Sequence, residues 1–368
     1  MSASRGGGRP TGPPSRCVDL PPDELAELRQ WLVSQGATDE QLDAAGDDLD
    51  RVAPELALAR DERLSARAIA EQQGRDPGRV VQVFRMFGVA VPDIDRVRFT
   101  DLDALLVASV EEAGIVGSSD GQGFMRVVAS GLDRVAEAAV ALYVQGTEVK
   151  LAEQGASALA FAQETARMTH LAGNMGEGMG VLFRHHLRQA IDRQRVSQEG
   201  VASRDVARIA VGFVDLVGST ARTAALDVGE LRAVVNEFEA RAWEVATEFG
   251  GRVVKFIGDE IMVAALDPVA GCHLLLALVE ACSVGDMQPR GGLAYGEVLF
   301  RGGDYYGREV NLASRLVDAA IPGEVLVDGS VFDAVKATSP HAVAFEPAGR
   351  RVLKGFADPL AVWSVAHP

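Results

Sequence analysis

The strongest constraint on the fold is a change of periodicity near residues 196 to 206. Before it, from about Pro21 to Arg195, apolar residues recur at helical spacing and no strand-like alternation interrupts them. The segment PPDELAELRQWLVSQG is typical: Pro-Pro-Asp starts it, Leu25, Leu28 and Leu32 share one face, and Gly36 closes it. After the change, β-branched runs alternate with helical segments and turns. RIAVGFVDLVGST reads as a strand, VVKFIGDEIMVA as a hairpin, GGLAYGEVLF as a strand pair, EVNLASRLVDAA as a helix, GEVLVDG as a strand, and RRVLKGFADPLAVWSV as a closing hairpin. Two such grammars bury different faces, so two domains are expected. These are an all-α N-terminal domain over 21–195 and an α+β C-terminal domain over 207–368, joined by a linker at 196–206.

The chain is 368 residues long, enough for two separate cores. Residues 1–20 carry basic residues but no apolar stretch, which predicts a disordered leader and not a signal peptide. No apolar run approaches the roughly 20 residues of a membrane span. Three scattered cysteines, Cys17, Cys272 and Cys282, make no disulfide frame and fit the reducing cytoplasm. The formal net charge of −16 repels nucleic acid and anionic lipid over most of the surface. A polyanionic substrate would therefore need locally placed cations or metal ions.

Chemistry-bearing residues concentrate in the second half. Gly258-Asp259 suits the tight turn of a hairpin, yet Lys255 stands among Val253, Val254, Phe256 and Ile257 where an apolar side chain is expected. Asp215 ends an apolar strand, and Leu216 to Thr220 should turn into a helix whose free amide groups gather anionic oxygens. With Asp259 beside it, Asp215 would offer two hard carboxylates to divalent cations over a phosphate chain. Taken separately, Asp215 reads equally well as a helix N-cap and Asp259 as a turn residue. Asn311 and Arg315 lie four apart on one helix face, suited to a sugar oxygen and a phosphate, although such a pair read alone is more often a solvated helix face. Asp304 alone is an ordinary loop acid.

Taken in order, FVDLVGST, VVKFIGDEIM, GDYYGREVNLASR and LKGF resemble the catalytic domain of class III nucleotidyl cyclases, over about residues 205 to 365. The resemblance implies a ferredoxin-like α+β domain that converts ATP to 3′,5′-cyclic AMP and pyrophosphate. It implies Asp215 and Asp259 as ligands of two Mg²⁺ or Mn²⁺ ions, and Asn311 and Arg315 as transition-state residues. It also implies Lys255 and Asp304 as the adenine-reading pair and, by a looser match, Lys354 as a triphosphate ligand. An ammonium donating to adenine N1 and a carboxylate accepting from N6 would both be unpaired against guanine, so ATP is favoured over GTP. The family shares its site across a head-to-tail dimer, and a chain carrying the whole set once would form a homodimer with two sites. Tyr306 and Arg308-Glu309 depart from the residues most frequent in the family.

The N-terminal half is less explicit. LSARAIAEQQGRDPGRVVQVFRMFG, within 64–88, has the form of a helix-turn-helix with Arg79, Gln82 and Arg85 on its polar side. It serves either as a packing unit or as a DNA reader, and the acidic chain favours packing. Followed by a cyclase domain, this half is similar to that of soluble actinobacterial adenylyl cyclases, which implies an inhibitory regulator that responds to acidity and holds a fatty acid. Met168, Met175, Met179, Leu182 and Phe183 are candidates to line an apolar cavity, although a methionine-rich helix more often packs in a core. His170, His185 and His186 are candidate proton sensors. The rival readings are a DNA-binding regulator with a nucleotide-sensing domain and a catalytically silent nucleotide-binding module.

Overall fold

The computed structural model describes residues 20–198, 203, 205–216, 227–283 and 288–368. The expected leader up to residue 19, Cys17, much of the expected linker, and the turn from Val217 to Thr220 lie outside the described residues. Two compact units divide the chain, Met1–Arg184 and His185–Pro368. The division falls within a helix.

In the first unit, α1 (Pro22–Ser34), α2 (Asp39–Ala45) and α3 (Val52–Leu58) bury Leu28, Leu32, Leu42 and Leu49 together with Ala158 and Ala162. The latter two belong to α9 (Ala158–Ser197), which follows α4 (Ala66–Gln72), α5 (Pro77–Met86), α6 (Asp101–Glu112), α7 (Ser119–Tyr143) and α8 (Val149–Glu153). The α2 and α6 starts are fixed by capping boxes at Thr38 and Thr100, which satisfy otherwise orphaned amide groups. A second core gathers Ile69, Val80, Val83, Phe84 and Phe99, with the Phe84 and Phe99 rings stacked at 4.3 Å.

The α4–α5 pair lies within 64–88, joined by a turn at Gly74 with φ +62°. Its Arg79 is committed to packing: Nε donates to Glu111 Oε1 at 2.6 Å, and that carboxylate is only 9% exposed.

The second unit comprises β1 (Val206–Leu216), α10 (Val228–Glu248), β2 (Arg252–Ile257), β3 (Glu260–Ala265), α11 (Pro268–Ala281), β4 (Pro289–Arg301) and β5 (Asp304–Tyr306). There follow α12 (Arg308–Ala319), β6 (Val325–Asp328), α13 (Gly329–Thr338), β7 (Ala344–Arg351) and β8 (Leu360–Ala366). The strands form an eight-stranded sheet in the order β2-β3-β1-β4-β6-β8-β7, with β5 paired to β4. All pairings are antiparallel except β4 with β6. This is the expected α+β class.

Alternation along the strands sends Val214, Ile261, Val263 and Leu293 to one face, against α10, α11 and α13. Phe213, Met262, Ala264 and Ala294 face α12 on the other side. Cys272 and Cys282 lie in the first layer, where burial pushes their thiols up to about 12 and about 11. GGLAYGEVLF departs from expectation: it is part of one continuous 13-residue strand, β4. Its glycines serve close approach and not a turn, since a Cβ on Gly292 would lie 2.3 Å from Val317 N and 2.5 Å from Ala313 O of α12. The hairpins at Gly258-Asp259 and after β7 form as expected, with Gly258 at φ +66°.

Candidate active site

Asp215 reaches the α12 face because it has the parity of Phe213 on β1, and it stands at the strand's end opposite Glu260 on β3 and Arg290 on β4. Arg290 donates to Asp215 Oδ2 from Nε at 3.0 Å and from Nη2 at 2.8 Å. Its Nη1 caps α12, donating to the carbonyls of Asp318 at 2.9 Å and Ala320 at 3.3 Å. Asp259 is held close by the hairpin turn, whose Asp259 carbonyl accepts from Leu216 N at 3.4 Å. The two aspartates expected to act together are thus on adjoining segments at one end of the sheet.

Negative charge exceeds positive charge there. Burial first, then the Asp215, Asp318 and Asp259 carboxylates, push the Glu260 carboxyl up to about 7, against the opposing influence of Arg290. Among the described residues no three His, Cys, Asp or Glu side chains converge to hold a metal ion unaided. Two hard carboxylates in a charge-crowded, partly buried corner nevertheless fit Mg²⁺ or Mn²⁺, with phosphate or water oxygens completing the shell.

A second group lies on β2 and β5. The hairpin turn Gly302-Gly303, with both φ positive at 62° and 82°, returns the chain so that Asp304 pairs with Arg301. Lys255 Nζ forms an ion pair with Asp304 Oδ2. Asp304 Oδ1 accepts from the Tyr305 backbone N–H at 2.8 Å. Lys255 is therefore neither an unpaired cation nor a packing error.

Asn311 is exposed on α12, and Arg315, one turn on, donates from Nη1 to Asp318 Oδ2 at 2.8 Å. Lys354 is exposed in the β7–β8 connection, between buried Leu353 and Phe356, whose ring lies 5.3 Å from the Arg308 guanidinium. His170, His185 and His186 are exposed on α9, where His170 Nε2 is 3.3 Å from Asn174 Nδ2. Of the residues expected to line an apolar cavity on this helix, Met175, Leu182 and Phe183 are 60%, 59% and 59% exposed, and Met168 and Met179 are half-buried.

Sequence reading missed Arg290 and Arg252. Each is a charged residue near the start of its strand, a signal that marks the position but not the direction of the side chain.

Residues 201–366 match the Adenylate and Guanylate cyclase catalytic domain family. An uncharacterized protein of Mycobacterium tuberculosis is 32% identical over 302 residues, covering 80% of this chain and 77% of that protein. A pH-sensitive adenylate cyclase of the same species is 30% identical over 359 residues, 93% of this chain and 88% of its own length. An adenylate cyclase of Streptomyces coelicolor is 43% identical over a shorter stretch of 123 residues, 33% of this chain and 32% of that one. The solved adenylyl cyclase CyaB from P. aeruginosa superposes with a TM-score of 0.40 at 25% identity, covering 44% of this chain and 95% of that structure.

Proposed function

Because this chain belongs to the adenylate and guanylate cyclase family, we propose that it converts ATP to 3′,5′-cyclic AMP and pyrophosphate. The observation that carries the choice of ATP is the Lys255–Asp304 pair. An ammonium has three donors and a carboxylate about four acceptor positions, so each keeps capacity for the base after bonding the other. Lys255 donates to adenine N1, and Asp304 accepts from the N6 amino group. Guanine offers a donor at N1 and an acceptor at O6, the wrong polarity at both positions.

In the reaction the ribose 3′ hydroxyl gives up its proton to solvent, its oxygen forms a bond to the α-phosphorus, the bond to the bridging oxygen breaks, and pyrophosphate leaves with the electron pair. Two Mg²⁺ or Mn²⁺ ions held by Asp215 and Asp259 would supply charge neutralisation at the attacking and leaving oxygens. Arg315 stabilises charge on the five-coordinate phosphorus, Asn311 orients the ribose, and Lys354 binds the triphosphate. Asp215 and Asp259 act with the partner chain's copies of the base-reading and α12 residues, so the working form is a homodimer with two sites.

The helical region, about residues 21–195, acts as the regulator. Its likeness to the pH-sensitive mycobacterial enzyme favours acid-responsive autoinhibition over DNA reading, as does the engagement of Arg79 by Glu111. The exposed Met175, Leu182 and Phe183 give a fatty-acid site no support. No helix among the described residues is long and apolar enough to cross a membrane.

The test is divalent-dependent turnover. Wild-type chain should form cyclic AMP with Mg²⁺ or Mn²⁺, and Asp215→Ala should lose that activity while keeping its circular dichroism spectrum. Normal activity in the folded variant would remove Asp215 from the metal site.

A further inference from the structure

The geometry points to Arg252 as a positioning residue for base selection, one that fixes Asp304 by gripping the residues on both sides of it. This inference rests on the base-reading role of Lys255 and Asp304. Arg252 Nη2 donates to the Gly303 carbonyl at 2.7 Å, and Nη1 donates to the Tyr305 hydroxyl at 3.2 Å. The guanidinium carbon also lies 5.5 Å from the Tyr305 ring centroid, and that ring packs on Phe300 at 5.3 Å. Asp304 is thereby flanked by two contacts to a single planar group. Its own Oδ1 is occupied by the Tyr305 amide, which leaves Oδ2 to be aimed by the backbone position.

A defect in the strand makes this grip possible. Residues three apart on a regular strand point to opposite faces. The register shifts between Val253 and Lys255, however, so that Arg252 faces Ala264 while Lys255 faces Met262. Ala264 and Met262 share the α12 face of the sheet. The bulge at Val254 thus turns Arg252 and Lys255 to the same side, as bulges do where a side chain must be re-aimed. Lys255 then meets the Asp304 carboxylate, and Arg252 meets the backbone that carries it. A flexible Gly302-Gly303 turn, free to sample several conformations, would otherwise leave that carboxylate loosely placed.

The experiment measures, in the full-length chain, kcat and KM for ATP and the inhibition constant of GTP. Its variants are Arg252→Ala, Arg252→Lys and Asp304→Ala, together with the Arg252→Ala/Asp304→Ala double variant. Arg252→Ala should lower the preference for ATP over GTP, taken as the GTP inhibition constant divided by the ATP KM, by about tenfold, with kcat within about threefold of wild type. Arg252→Lys, which keeps one donor, should recover part of the preference. The double variant should be no less selective than Asp304→Ala alone, because a clamp on a missing carboxylate has nothing left to aim. Equal losses for both nucleotides, an unchanged preference, or additive losses in the double variant would each overturn the inference while leaving the base-reading role intact. If Asp304→Ala itself leaves the preference unchanged, or the wild-type chain does not cyclise ATP, the reading beneath it fails and the inference falls with it. Should Arg252→Ala not fold, Tyr305→Phe and Arg252→Lys replace it: partial falls in preference support the clamp, and wild-type preference in both overturns it.

Discussion

Lys255 and Asp304, 49 residues apart in sequence, meet side chain to side chain as an ion pair between β2 and β5. One strand carries the donor and a three-residue strand on a glycine turn carries the acceptor. With side chains 41% and 22% exposed, the pair is open to a ligand, and as a surface ion pair it adds little stability on its own. Its proposed use is in recognition.

The Lys255→Glu/Asp304→Cys double variant should therefore keep its thermal midpoint and lose ATP use by roughly a hundredfold in kcat/KM, with only weak gain of GTP use. Steady-state kinetics with both nucleotides check this. Retained ATP preference would show that another part of the site reads the base.

Arg290 is expected to matter for stability as well as activity, because it balances half-buried carboxylates and caps α12 at once. Arg290→Met should cost about 1 to 3 kcal/mol, the usual range for leaving a buried charged acceptor unpaired. Urea unfolding followed by circular dichroism reads the change. A midpoint equal to wild type would mean that solvent, and not Arg290, balances Asp215.

Much of the catalytic unit was legible in the sequence because its signals are local. Gly258-Asp259 specifies a two-residue hairpin whatever surrounds it, and the continuous apolar run of β1 announces a strand buried on both faces that ends at Asp215. The continuous β4 strand was hidden because Gly296, in the middle of GGLAYGEVLF, looks like a turn residue until Glu309 of α12 is seen pressed against it. Arg252 was hidden for a different reason. Its direction depends on a one-residue bulge that no spacing rule announces. The role of the α9 side chains was not legible because a methionine-rich face is written alike whether it lines a cavity, packs in a core or lies on a helix exterior.

Sharing of sites between chains is expected to appear as complementation. Asp215→Ala and Asn311→Ala should each be inactive, and mixing them should restore activity, up to about a quarter of wild type if exchange is random and one of two sites is rebuilt in each heterodimer. Activity assays after co-refolding of differently tagged chains, with exchange verified by pull-down, give the answer. No recovery in verified heterodimers would place each complete site within one chain.

Acid response is expected to involve the histidines at the C-terminal half of α9. Acidification adds charge to imidazoles, and adjacent imidazolium groups favour any state that keeps them in water. His185 and His186 are both exposed in the single chain. If the inhibited state buries them, full-length activity relative to a catalytic fragment should rise from pH 8 to pH 5, and His185→Ala and His186→Ala should flatten that rise. A flat wild-type ratio would end the idea, and a steep ratio untouched by both variants would move the sensor to His170.

The most direct test is to identify the product made by purified full-length chain from ATP and, separately, from GTP, with Mg²⁺ or Mn²⁺ present. Mass spectrometry should find 3′,5′-cyclic AMP and pyrophosphate in equal amounts from ATP, and at most a small fraction of that rate as cyclic GMP. Cyclic GMP as the main product would contradict the Lys255–Asp304 assignment. ADP and phosphate, or no turnover under acidic and neutral conditions alike, would contradict the cyclase itself.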